Sequence, residues 1–223
     1  MQDKLLSWIK PIVNRNSELR EEVQYLNVVL GTNLPHGALF DNYRPDAELF
    51  LNGPDGVHGV GHSTRVLILT ELLSRMYLAN NPNSIDIIAL REAARFHDMG
   101  RIYDSYDSDH GVRGAELYLE RSNGHVDSGK VAYLVEWHVP DDKHAPEMIP
   151  ELAILKDADA LDRARVQHKG YGLNPKFLRT KEAKKLIITA EHLFLVSHGL
   201  TYVNGSDEYR SVIHAAKAIE IVK

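Results

Sequence analysis

The chain has 223 residues, 43% of them hydrophobic and 26% charged, with a net charge of −5, 12 His and no Cys. That is the composition of an ordinary soluble globular protein with enough chain for one substantial core. It excludes disulfides, zinc–thiolate sites and thiol nucleophiles, and basic residues scattered over an acidic chain disfavour a long nucleic acid as the main partner. No apolar run reaches the length of a bilayer, so no membrane-integral form is expected. The opening Met1-Gln2-Asp3-Lys4-Leu5-Leu6-Ser7-Trp8, with its early acid and Pro11 close behind, does not read as a secretory signal. A cytoplasmic location is the expectation.

In chain order, residues 3–30 read as helix interrupted near Pro11, restarting at Asn16-Ser17-Glu18 and stopping at Gly31. Thr32 to Gly56 is rich in Pro, Gly, Asn and Asp and is long for a structureless connection, which points to a functional loop or lid. A helix is expected from about His58 to Leu78, with His62, Val66, Leu69 and Leu73 on one face. Asn81-Pro82-Asn83 breaks the chain, and Ser84 is placed as N-cap of a further helix. That helix has two apolar stripes, Ile85/Ile88/Ala89/Phe96 and Ile87/Leu90/Ala94/His97, as expected of one running through a core. It ends in Phe96-His97-Asp98-Met99-Gly100-Arg101. Further helices are expected from about His110, from about Ser128 to Trp137, and around Met148, Leu152, Leu155 and Asp159. Two more span about 180–197 and 207–222. No repeat and no convincing alternating strand is found. The expectation is an all-α chain forming one domain, with the terminal helices packed on the middle.

His62, His97, His110, His138 and Asp159 each fall at or near a helix end, on its apolar side, and Asp98 adjoins His97. A lone His of this kind is usually a satisfied core residue. Five helices placing a metal-capable side chain inward is a different matter. An ionised Asp beside a His in a dry place is costly unless something pairs with both, and a divalent metal does so. At helix C-terminal ends, His97 and His138 are expected to favour a proton when no metal is bound.

The ordered pattern His62, His97-Asp98, Asp159, on separate helices, resembles that of the HD-domain superfamily of metal-dependent phosphohydrolases. It is carried by Gly61-His62-Ser63-Thr64-Arg65-Val66, by Phe96-His97-Asp98-Met99-Gly100-Arg101 and by Lys156-Asp157-Ala158-Asp159-Ala160-Leu161-Asp162-Arg163, across roughly 57–165. Members with two metals add two histidines, and His110 and His138 look like those two. Many members have Lys where this chain has Arg101, which keeps the charge and changes its geometry. His58 and His62 form an i, i+4 pair without the Glu of a zinc-protease helix. The resemblance selects His62 as ligand and leaves His58 facing substrate or supporting the ligands.

The resemblance implies a single-domain HD-type helical bundle with the metal site in its helical core. It implies hydrolysis of a phosphoester of a nucleotide or other small phosphorylated metabolite by a metal-activated water, with Asp98 as the catalytic carboxylate. The ligand set, nitrogen and oxygen without sulfur, suits one or two ions of Mn, Fe, Co, Ni or Zn, with Mg also admitted. Arg65, Arg101, Lys156 and Arg163, with His58, are the candidate substrate-binding residues. The loops 31–57, 139–147 and 168–176 are expected to shape specificity. Gly170 to Lys176 lacks the spacing and strand of a phosphate-binding P-loop. Two rivals stay open: an HD-type di-iron oxygenase related to myo-inositol oxygenase, and a non-catalytic nucleotide-binding HD module. A homo-oligomer is also left open.

Overall fold

The structure, a computed structural model, describes residues 15–122, 124, 127–169, 172–204 and 207–223. The expected break at Pro11 and the turn at Gly170-Tyr171 lie outside them. The described α-helices are α1 (Asn16–Leu30), α2 (Gly37–Asp41), α3 (Val60–Asn80), α4 (Ile87–Phe96), α5 (His110–Arg121), α6 (Ser128–Trp137), α7 (Pro150–Leu161), α8 (Ile187–Asn204) and α9 (Glu208–Ala218). No strand occurs among the described residues. None of their helices is long and apolar enough to cross a membrane.

The axis of the fold is α3. The expected face His62, Val66, Leu69, Leu73 is buried, but so are Leu67, Ile68, Leu72 and Met76 on its other sides. A helix apolar all round belongs inside, and α4, α7, α9, α1 and α8 pack against it. Removing one such side chain, as in Leu69→Ala, costs about 2–5 kcal/mol. The one acid in the middle of this helix, Glu71, is fully buried and paired. It accepts from Arg75 Nε at 2.6 Å and from Arg91 Nε and Nη2 at 2.7 and 2.9 Å, which ties α3 to α4. Around this axis α5 pairs with α6, α6 lies on α4, and α8 pairs with α9. Glu22 on α1 caps the start of α8, accepting from the backbone N–H groups of Ile188 and Thr189 at 3.2 and 2.7 Å.

Several sequence expectations need correction. The N-cap of α4 is Asp86, which accepts from Ile88 N and Ala89 N at 3.0 Å. Ser84, two residues earlier, donates to Asn81 O instead. Ile88 is 48% exposed, so α4 is buried on one broad side, lined by Ala89, Leu90, Ala93, Ala94 and Phe96, while α3 takes the middle of the core. The stretch Thr32–Gly56 is not structureless. It holds α2, short 3-10 turns and three buried anchors, Leu34, Phe40 and Phe50. The helix expected from about 180 begins at Ile187. Before it, the chain at Arg179 and Thr180 is held by the buried carboxylate of Asp157, which accepts both of their backbone N–H groups. Met148 lies outside α7 and is exposed.

One close approach positions the site. After α4 the chain turns through His97–Gly100, and the first turn of α5 lies directly on it. A Cβ on Gly100 would stand 2.3 Å from His110 O and 2.4 Å from Gly114 N. Gly100 is not in the left-handed region. Its value is the absent side chain, which lets the His97-Asp98 turn and His110 meet.

Candidate metal centre

Five helices deliver six side chains to one place. His62 is the third residue of α3, His97 and Asp98 follow α4, His110 opens α5, His138 follows α6, and Asp159 sits in the last turn of α7. Each imidazole is aimed by a hydrogen bond at its outer nitrogen. Nδ1 of His97 donates to Ala94 O at 2.9 Å, that of His110 to Asp107 O at 2.5 Å, and that of His138 to Val135 O at 2.6 Å. In all three the acceptor lies three residues back. Nδ1 of His62 lies 2.8 Å from Asp162 Oδ2. With each outer nitrogen so engaged, all four Nε2 atoms face inward.

The inward atoms form two trios. In the first, His62 Nε2 is 3.0 Å from His97 Nε2 and 3.3 Å from Asp159 Oδ1. In the second, His110 Nε2 is 3.1 Å from His138 Nε2 and 3.1 Å from Asp98 Oδ1. The other oxygen of Asp98, Oδ2, is 3.1 Å from His62 Nε2. Asp98 therefore turns one oxygen to each trio. Within each trio the ligand atoms all lie within 4.8 Å of one another. Asp159 is the most open of the six, with its side chain 31% exposed, and marks the mouth of the site.

This donor set fits divalent metal. Two imidazole nitrogens whose outer partners already take the Nδ1 proton face each other at hydrogen-bond distance in each trio. Such buried acceptor pairs are costly unless a cation stands between them. Without metal, a proton takes that place at His62. Burial, the largest influence, and the Arg165 charge pull its pKa down, but hydrogen bonds with Asp159, Asp162 and Asp98 outweigh them and raise it to about 9. His97 and His138 go the other way. Burial drives His97 down to about 3 and lowers His138 as well. The expected preference for a proton at these two helix ends is corrected, because desolvation exceeds a helix-end effect here. Burial acts to raise Asp98, yet His97 and hydrogen bonds with His110, His138 and His62 hold its carboxyl well below the usual range. Asp159 is held low in the same sense, by His62 and Arg165 against its burial.

The five candidate substrate-binding residues separate. Arg101 donates from Nε to Asp98 Oδ1 at 2.8 Å and stands at the centre. His58 lies beside it, its ring 5.8 Å from that of His62, and its Nδ1 is 3.1 Å from Asp104 Oδ1. Burial lowers the pKa of His58 to about 4. Arg65 stands behind the site, where it grips Asp162 with Nε at 2.6 Å and Nη2 at 3.0 Å and lies over the Phe194 ring. Lys156 is turned to Pro140 O and Asp142 Oδ1. Arg163 is exposed at the surface. Two neighbours were not singled out from sequence, Asp162 behind His62 and Arg165 beside Asp159. For Asp162 the available signal was its spacing of three from Asp159, which puts both on one side of the helix end.

A cavity of about 630 Å³ also opens near the N-terminus of α3, lined in part by Arg44, Asp55, Arg95 and Glu208. None of the six converging residues lines it, so the chemistry and this hollow do not coincide. The convergence of buried donors marks the site.

Comparison with known families matches the HD-domain model to residues 59–164, a span that holds all six. No curated protein and no solved structure matches the chain.

Proposed function

We propose, for a chain whose residues 59–164 match the HD-domain model, that it is a metal-dependent phosphohydrolase. Its substrate is a phosphoester of a nucleotide or another small phosphorylated metabolite. The observation that carries this reading is Asp98, whose two oxygens face two separate histidine pairs. His62, His97 and Asp159 would hold one ion, His110 and His138 the other, and Asp98 both. A bound pair of Mn, Fe, Co, Ni, Zn or Mg ions supplies a water of lowered pKa and a clamp for phosphoryl oxygens.

The chain's own residues do the rest. Outer partners on every imidazole fix ring orientation before substrate arrives. Arg101 offsets the charge of Asp98 and places a guanidinium at the edge of the centre. His58, neutral at pH 7 and tied to Asp104 at Nδ1, offers its other ring nitrogen for hydrogen bonding to a substrate. The carboxylate of Asp159 lies on the open side, where substrate enters.

The test is a metal-by-substrate screen on protein purified without chelator, reading phosphate released from nucleotides and small phosphoesters. Asp98→Ala should abolish release and keep the helical content. An active Asp98→Ala protein would remove Asp98 from the reaction. Two irons per chain with oxygen uptake would replace the hydrolase by an oxygenase. Nucleotide binding without product under any metal would leave a non-catalytic module.

A further inference from the structure

Arg165 stands at the mouth of the centre with part of its guanidinium unused. It lies in the 3-10 segment Asp162–Lys169, and its side chain is only 7% exposed. Nε donates to Val57 O at 3.0 Å, which ties this segment to the chain just before α3, next to His58. Nη1 is buried and makes no hydrogen bond. The nearest carboxylate oxygens are Asp162 Oδ2, 3.6 Å from Nη1, and Asp159 Oδ1, 3.7 Å from Nη2, both too far for hydrogen bonds.

Those carboxylates are not waiting for Arg165. Asp162 already takes both donors of Arg65 and Nδ1 of His62. Asp159 Oδ1 faces His62 Nε2 in the first trio. A buried guanidinium nitrogen without an acceptor is costly, and a chain keeps one where a ligand supplies the acceptor. An anionic acceptor makes the strongest partner, because the group never loses its charge. The acceptor should also suit a planar fork, as the paired oxygens of a phosphoryl group do. Through Val57 O the Arg165 side chain is held next to His58, whose ring lies 5.8 Å from that of His62.

The other cations have work already. Arg65 is committed to Asp162, Lys156 to Pro140 and Asp142, and Arg101 to Asp98 and Ser105 O. We propose that Arg165 is the phosphate-binding residue of this site, with Nη1 and Nη2 taking two non-bridging oxygens of a phosphoryl group beside Asp159. This rests on the reading of the centre as that of a phosphohydrolase, and it names the group that holds the substrate there.

The experiment is calorimetric titration of inorganic phosphate into Mn-loaded wild type, Arg165→Gln and Arg165→Lys, with Mn uptake measured separately on each. Phosphate affinity should fall about tenfold or more in Arg165→Gln, with Mn stoichiometry unchanged. Arg165→Lys should recover part of the loss, since it restores the charge without the fork. Unaltered phosphate affinity in Arg165→Gln overturns the proposal. So does loss of Mn together with phosphate, which would make Arg165 a support for Asp159. If Arg165→Gln does not fold, Arg165→Lys decides. A reduced affinity there upholds the assignment and wild-type affinity ends it. Wild type that takes up no Mn defeats the metal reading instead. In that event phosphate titrated into metal-free wild type and Arg165→Gln still tests Arg165, and equal affinities overturn the assignment.

Discussion

Asp162 holds His62 from behind, its Oδ2 lying 2.8 Å from His62 Nδ1, while Arg65 grips the same carboxylate with two nitrogens. The three side chains are all buried, so Asp162 both aims a ligand and neutralises an interior arginine. In Asp162→Asn the first role weakens, because an amide is a poorer partner for the ring. Metal affinity should fall about 10–100-fold. The second role fails too, and a buried arginine left without a counter-charge should cost about 3 kcal/mol or more. Metal titration and urea unfolding of the two proteins check both numbers. Unchanged metal affinity would show that the imidazole needs no such anchor.

Gly100→Ala tests the close approach beneath the site. The new methyl would meet His110 O and Gly114 N, both backbone atoms that cannot swing aside. Moving α5 away should cost about 1–3 kcal/mol. It should also carry His110 away from Asp98 Oδ1, 3.1 Å distant in the native arrangement. The expected result is a protein that keeps one metal ion per chain and loses the second. Elemental analysis after dialysis against Mn reads this directly. Two ions retained at wild-type affinity would mean that the turn accommodates a methyl.

Why the six converging residues were legible and their neighbours were not is a matter of faces. Histidines at helix ends on apolar stripes, in an order that matches a known pattern, point inward by necessity. Asp157 and Asp162, on either side of Asp159, carry no such label. Asp157 turns to the backbone of Arg179 and Thr180, Asp159 to His62, and Asp162 to the back of the same ring. Two residues of separation reverse a helix face, and three restore it. Closeness in sequence likewise suggested Arg65 and Lys156 as substrate contacts. Only the three-dimensional acceptors show that both are engaged elsewhere, while Arg165, beside Asp159, keeps a buried nitrogen without a hydrogen bond. The cap was missed for a similar reason: Ser84 and Asp86 are both good caps, and two residues decide between them.

The junction between the 3-10 turn at Asp142 and the chain at Arg179 should make acid stability pH-dependent. Asp142 accepts from Arg179 Nε at 2.8 Å and Nη2 at 2.7 Å, and from Lys156 Nζ at 3.1 Å. The Arg179 hydrogen bonds, against partial burial and with help from Lys156, hold its carboxyl below the usual value. A lowered folded pKa stabilises above the unfolded aspartate pKa and is lost as pH falls through the folded one. Asp142→Asn should therefore be less stable than wild type at neutral pH, and the gap should close on acidification below about pH 4. Urea midpoints measured at pH 7, 4 and 3 follow it. A gap of constant size would mean that the carboxylate's charge contributes nothing.

Metal bound at the centre should stabilise the fold, because the six donors come from five different helices, α3 to α7, and an unfolded chain holds no such cluster. An ion that binds only the folded state adds RT ln(1 + [L]/Kd), about 2.7 kcal/mol at a hundredfold excess over Kd. For a chain of this size that is roughly 5–10 °C in melting midpoint. Wild type stripped with chelator should melt lower by that amount and recover when Mn is returned. Asp98→Asn is the control with discriminating power. It removes the carboxylate shared by both trios and keeps the side chain's shape, so returning Mn should raise its midpoint much less. An equal rise in the two proteins would place the stabilising ions somewhere other than between these histidines.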